Sequence, residues 1–363
     1  MVGLAIMILM LTNTANAQYV RLEGTVKCST TGEALTNALV RVGSIFSYTN
    51  QEGEFILQVP EKRVSTLEVF HMGYDTYSTK GQDSIYAITL DPVEPDTHDS
   101  GLASGEQIMR QVFSRLHMNY ELEDQLMLAY YKEQLNDHDN KIDHFAEGII
   151  QVHIPSDVEK GPALVRPLKT RVKAISNIEH GGLYAKSGHA TEMVESSIWA
   201  FNSFLSKKYR WDYDYNLVGT EVHRNENIFI IDFEPKGKKG NVAGRLWVDE
   251  LSFAIIRVEY ALVTETDWDS EVWIEEYQHL NHTYYLMRAS FEGKWTENGI
   301  PYVFNSMLVN TSIELNKKSI PWEKFMLGHH FSFLLEDHGN FKDDYWGSFN
   351  YIKLTEEERA QLR

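Results

Sequence analysis

Residues 228–262 read IFIIDFEPKGKKGNVAGRLWVDELSFAIIRVEYAL. Three runs rich in β-branched and aromatic residues stand out: Ile228–Phe233, Gly244–Val248 and Ala254–Leu262. Each has strand length, and polar connections such as Asp249-Glu250 separate them. Consecutive strands with short links predict an antiparallel meander. The same signal continues C-terminally through Val272–Gln278, Tyr284–Trp295 and Tyr302–Glu314, with Glu297-Asn298-Gly299 as a turn. It begins at Tyr213–Gly219. The expected architecture for residues 105–363 is an α+β domain whose antiparallel sheet curves toward an open barrel.

Upstream of that meander, Leu126–Gln134 and His144–His153 read as two further strands joined by the polar loop 135–143. Residues 154–184 carry no clear period. A helix-like segment spans 192–206, with Met193, Ile198, Phe201 and Leu205 as its apolar positions. Another helix opens at Ser104, which forms a capping box with Gln107. On it Ile108, Val112 and Leu116 recur at intervals of four, with Met109 and Phe113 alongside, so one face is predicted to pack on the sheet. Thr355 and Glu358 form a second capping box before a short polar helix.

The N-terminal third has a different texture. Short β-runs (20–26, 38–43, 46–49, 54–59, 65–70 and 84–90) alternate with turn residues and no helical period, which predicts a β-sandwich over residues 18–91. Phe55, Leu57 and Val59 alternate along one strand face. Asn50-Gln51-Glu52-Gly53 before them reads as a hairpin turn, with Gly53 taking φ > 0. The two prolines and three acids of Asp91-Pro92-Val93-Glu94-Pro95-Asp96 begin a stiff, solvated linker over residues 92–104. The overall fold class is mainly β.

Residues 1–17 are expected to be a signal peptide. Val2–Leu11 is apolar but too short to cross a bilayer, and Ala15-Asn16-Ala17 has the small-x-small form that is cleaved before Gln18. No later segment is apolar enough for a transmembrane helix. Export to the periplasm, or to the periplasmic face of an outer membrane, is the expectation. Cys28 is the only cysteine, which leaves no intrachain disulfide and no cysteine metal cluster.

The formal net charge of −18 repels phosphate backbones, so nucleic acid is excluded as a partner, and anionic membranes are disfavoured by the same sign. Two short basic patches interrupt this balance: Lys207, Lys208 and Arg210, then Lys236, Lys238 and Lys239.

Residues 20–91 resemble the carboxypeptidase regulatory-like domain common in exported proteins of Bacteroidetes. The likeness rests on Gly24-Thr25-Val26, Gly32-Glu33-Ala34-Leu35, Ala38-Leu39-Val40, Thr49 through Phe55, and Gly73-Tyr74. It implies a transthyretin-like sandwich of a kind that accompanies peptidases, transporters and many unassigned proteins, and the family's name does not imply hydrolysis. The rest of the chain is similar to the region that follows this domain in uncharacterised Bacteroidetes proteins. The matching residues are Ser104–Ile108, Asn119-Tyr120, Tyr130–Glu133, Tyr215–Gly219, Ile231–Pro235 and Gly244–Asp249. Its strand pattern also resembles lipoprotein-carrier folds, which implies a curved sheet around an apolar groove.

Zinc peptidases hold their metal with His-x-x-Glu and a distant third ligand. Two such pairs occur, His144/Glu147 and His189/Glu192. Strand geometry points the first pair to opposite faces. Helical geometry would bring the second together, with His223, His279, His282, His329 or His330 as third ligand. With 14 histidines and 52 acids, pairs at this spacing arise by composition. His329-His330, adjacent on a strand, face opposite ways. Asp212 and Asp214 share a strand face beside Arg210 and read as a solvated edge. No Gly-x-Ser-x-Gly, Walker or Gly-x-Gly-x-x-Gly motif occurs. The expectation is therefore a non-catalytic envelope protein without a cofactor or catalytic or metal-binding residues, holding a lipid or a protein partner. A metal-dependent hydrolase using His189 and Glu192 is the alternative. The 44 aromatic residues, concentrated after Tyr209, are expected either to fill the sheet's core or to line an apolar cavity.

Overall fold

The computed structural model describes residues 18–81, 83–93, 104–120, 124–155, 163–174, 188, 190–194, 197, 198, 200, 203–223, 226–237, 239–263, 269–280, 282–315 and 341–362. The signal segment, most of the linker, His189 and His329-His330 lie outside them.

Seven short strands come first: β1 (Tyr19–Cys28), β2 (Leu39–Val42), β3 (Ile45–Tyr48), β4 (Glu54–Pro60), β5 (Thr66–Phe70), β6 (Tyr77–Lys80) and β7 (Ile85–Leu90). They form two sheets, ordered β4-β1-β7 and β3-β2-β5-β6. Leu22, Val26, Val40, Phe55, Leu57, Val69 and Ile88 meet between the sheets in a buried core. Gly53 has φ +74°, and a Cβ there would meet the Val26 carbonyl oxygen at 2.5 Å, so both the turn and its close approach require glycine.

Helix α1 (Gly105–Asn119) follows, its N-terminus capped by the Ser104 hydroxyl, which accepts from the Gln107 amide. Then come β8 (Gln125–Asn136), β9 (Ile142–Ile154), β10 (Leu164–Ala174) and a short helix α2 (Ala190–Val194). The meander continues through β11 (Tyr213–His223), β12 (Glu226–Pro235), β13 (Val242–Asp249), β14 (Ile255–Leu262), β15 (Ser270–Leu280), β16 (Thr283–Glu297) and β17 (Ile300–Leu315). Helix α3 (Glu356–Leu362) comes last, and its capping box is reciprocal: Thr355 N–H donates to Glu358 Oε2 and Glu358 N–H to Thr355 Oγ1.

Strands β8–β17 make one ten-stranded antiparallel sheet, ordered β10-β9-β8-β17-β16-β15-β14-β13-β12-β11. After β10 the chain crosses to the far edge at β11 and walks back until β17 pairs with β8. The sheet is curled. Helix α1 packs on both β11 and β16, five strand spacings or roughly 24 Å apart in a flat sheet. Helix α2 likewise touches β10, β16 and β17. The five-residue α2 is only about 8 Å long, so it bridges strands four spacings or roughly 19 Å apart in a flat sheet only where the sheet bends around it.

Two readings of local structure need correction. The helix expected over 192–206 is a single helical turn and a half, after which residues 203–211 run through turns. Strand β10, within a region without a clear period, forms one edge of the sheet. The face away from the helices packs on the sandwich. Leu39, Phe46, Tyr48 and Phe70 join Tyr130, Ile149, Met287, Val309 and Trp346 in one buried cluster.

Candidate functional site

The helix-bearing face of the sheet carries a chain of aromatic rings. Phe204 stacks on Phe233 with centroids 4.3 Å apart and lies 5.8 Å from Tyr260. Tyr260 stacks on Trp273 at 6.4 Å, Trp273 meets Phe291 at 4.6 Å, and Phe291 meets Phe304 at 6.2 Å. Strand register produces this line, because Tyr260 pairs with Trp273 and Trp273 with Phe291 on adjacent strands. Tyr260 and Trp273, in the middle of the ladder, are half-buried.

Two buried glutamates on the same face hold the segment that crosses it. Glu133 accepts the Gly188 N–H at 2.8 Å and the Tyr131 hydroxyl at 2.7 Å, and meets His144 Nε2 at 2.8 Å. Glu275 accepts the Ser197 N–H at 2.9 Å and its hydroxyl at 2.6 Å, plus the hydroxyls of Tyr277 at 2.6 Å and Tyr260 at 3.3 Å. Burial pushes the Glu275 carboxyl above its ordinary value, and these donors oppose the shift. Burial, then the Glu275 charge, pushes the Tyr260 phenol far up, so it stays a donor. Between these anchors Ala190, Met193 and Val194 are buried against the sheet.

The opposite face has a different chemistry. A cavity of about 650 Å³ lies between it and the sandwich, lined by Lys132, Arg257, Glu276, Arg288, Asn305 and Glu358 among others. Its charged groups are paired within the fold. Arg288 makes a bidentate pair with Glu276 at 2.9 and 3.0 Å, Arg257 joins at 2.7 Å, and Lys132 meets Glu358 at 2.5 Å. Burial pushes Glu276 up, but the Arg288 and Arg257 guanidiniums overcome it and hold the carboxyl down at about 2. At the sheet's edge Arg171, 2% exposed, pairs with Glu147 at 2.5 Å and is enclosed by the rings of Phe341, Tyr345 and Trp346.

The sequence candidates fall out as follows. His144 and Glu147 point to opposite faces, as strand geometry requires, and bind Glu133 and Arg171 respectively. Glu192 lies partly buried in α2; its partner His189 is outside the described residues. His223, His279 and His282 line one cleft of about 430 Å³ at the hairpin end of the sheet. Their ring nitrogens do not gather there: the one group of three ligand-type residues close enough to share an ion, among the described residues, is Asp137-His138-Asp139 in the β8–β9 turn. Asp212 and Asp214 pair with Lys239 and Lys236 at 3.9 and 3.4 Å, a solvated edge as expected. Sequence reasoning missed Glu133 and Glu275. The signal was present, since each is an acid at a core-facing position inside an apolar strand.

No family model matches this chain, and the likeness to the carboxypeptidase regulatory-like domain remains a resemblance in the residues quoted for it. No curated protein matches either. Among solved structures, the chain is similar to a Vibrio parahaemolyticus domain described as an outer membrane lipoprotein-sorting protein, at 13% identity and TM-score 0.31, covering 60% of this chain and 95% of that one. A DUF1329 family protein from Desulfovibrio piger matches at 14% identity and TM-score 0.29, with the same coverage. Lipovitellin matches at 8% identity and TM-score 0.27 over 54% of this chain and 26% of its own. Likenesses this distant carry no functional argument.

Proposed function

We propose that this chain is a non-catalytic binding protein of the cell envelope, and that the helix-bearing face of its curled sheet takes an apolar ligand such as a lipid tail. The observation that carries this reading is the half-buried aromatic ladder through Tyr260 and Trp273. Fixed, half-buried rings offer apolar area to a ligand at little entropic cost, and the Tyr260 hydroxyl is already engaged by Glu275. The carboxylates Glu133, Glu147 and Glu275, all buried, and the partly buried Glu276 accept from fixed donors of the fold, which suits a scaffold more than acid–base chemistry. The envelope location rests on the apolar run at Val2–Leu11 and the Ala15-Asn16-Ala17 site. The N-terminal sandwich, resembling the carboxypeptidase regulatory-like domain, acts as a docking or spacer module.

Organic extraction of the purified protein followed by mass spectrometry, with titration of the fluorescent fatty acid cis-parinaric acid, tests the ligand. Saturable binding that Trp273→Asp abolishes is expected. Absence of both extracted lipid and saturable probe binding would leave a protein partner as the occupant and sink the apolar-ligand reading.

A further inference from the structure

The two basic patches, separate in sequence, meet on one face of the fold. The Lys236 N–H donates to the Asp212 carbonyl at 2.7 Å, and this bond joins the β12–β13 connection to the 203–212 turns. Arg110 on α1 completes the face, its guanidinium 5.2 Å from the Trp211 ring centroid; Arg210 lies 5.6 Å from the same ring. Trp211 is 42% exposed. Six bases (Arg110, Lys207, Lys208, Arg210, Lys236 and Lys239) stand against four acids (Glu106, Asp212, Asp214 and its cross-strand partner Glu234), a local balance of +2 on a chain of −18. Glu106, Asp212 and Asp214 engage Lys236 and Lys239. Arg110, Lys207, Lys208 and Arg210 have no ion pair among the described residues.

We propose that this face docks the protein on an anionic lipid surface. An indole flanked by guanidiniums and lysines suits the boundary between headgroups and acyl chains: the ring sits at headgroup level while the cations meet phosphates. The net acidity of the chain does not forbid this. At physiological ionic strength charges are screened over about 8 Å, so a membrane touching this face feels its local positive balance and little of the acidic remainder of the chain. The platform is preformed, because Phe204 anchors the turns in the core and Arg210 N–H donates to the Ser206 carbonyl at 3.0 Å.

Co-sedimentation of the full chain with vesicles at about 0.1 M salt is the test. Binding is expected to vesicles containing phosphatidylglycerol and not to pure phosphatidylcholine, and to vanish at about 1 M salt. Lys207→Ala with Lys208→Ala should weaken it about 25-fold, roughly fivefold per charge. Trp211→Ala should weaken it as well, while Lys62→Ala with Arg63→Ala, on the sandwich, changes nothing. The proposal is overturned by no binding to the anionic vesicles, by equal binding to both lipids, or by binding that survives removal of the two lysines. Equal binding to both lipids would instead indicate lipid uptake by the aromatic face. Lysine-dependent binding that ignores Trp211 and is matched by soluble polyphosphate would replace the membrane with a soluble polyanion, and is equally fatal.

Discussion

The Glu275 carboxylate lies 2.9 Å from the backbone nitrogen of Ser197, and every donor on it is neutral: one amide and three hydroxyls. A buried acid without a cation has its pKa raised, because burial disfavours the charged form more than the donors favour it. The sign of the stability effect follows. A folded pKa above the unfolded one means that the folded state binds the extra proton, so stability falls as pH rises from the ordinary carboxylate range through the folded value. Thermal midpoints of the wild type should decline over that window. Glu275→Gln should flatten the decline; an unchanged slope would show that Glu275 is not its source.

Glu276, the next residue, works in the opposite direction. Its carboxyl is held at about 2 against an ordinary 4.5, so its stabilisation is present above 4.5 and lost as pH falls toward 2. The shift corresponds to at most about 3 kcal/mol. Acid unfolding should begin at a higher pH in Arg288→Met, which leaves Glu276 with Arg257 alone. Urea melts between pH 2 and 5 measure this, and coincident acid transitions for the two proteins would count against it.

Most of the architecture was legible because strand period and turn chemistry are local. The meander from Tyr213 to Leu315, the cap at Ser104 and the box at Thr355 follow from neighbouring residues. β10 was hidden because Pro167 interrupts its run; the register shift between Pro167 and Lys169 absorbs that proline at an edge strand, where a missing N–H is tolerated. Tyr77–Lys80 was hidden because β6 is a short, half-exposed edge with no apolar alternation. The helix expected over 192–206 shortened because the Ser197 and Ser203 hydroxyls spend their hydrogen bonds on Glu275 and on the Leu205 N–H. The basic face with Trp211 could not be read from sequence: its members come from α1, the 203–212 turns and the β12–β13 connection, which only the tertiary fold brings together.

Arg171 offers a test of how the C-terminal segment is held. Its guanidinium pairs with Glu147 beneath three aromatic rings, so Arg171→Met leaves a buried carboxylate without its cation and should cost about 3–5 kcal/mol. Arg171→Met combined with Glu147→Met removes both charges and should recover most of that loss. Denaturant midpoints of the two variants decide the matter; a double variant no better than the single one would show that packing, and not charge burial, sets the cost.

The sandwich and the large sheet share one buried cluster, which predicts that they unfold together. Phe46 and Tyr48 from β3 meet Tyr130, Met287 and Trp346 there, and Gln58 on the edge strand β4 exchanges hydrogen bonds with Asn350 at 2.6 and 3.2 Å. Cutting into such a cluster should lower the stability of both halves at once. Phe46→Ala should therefore lower a single calorimetric transition, by roughly 3–5 kcal/mol, and not split off an early one. A seam of surface contacts would let the sandwich melt alone, whereas a shared core makes its loss expose apolar area on the sheet as well. Two resolved transitions in the wild-type protein would mean that the seam is only a surface contact, and that the sandwich is a module hinged on the sheet.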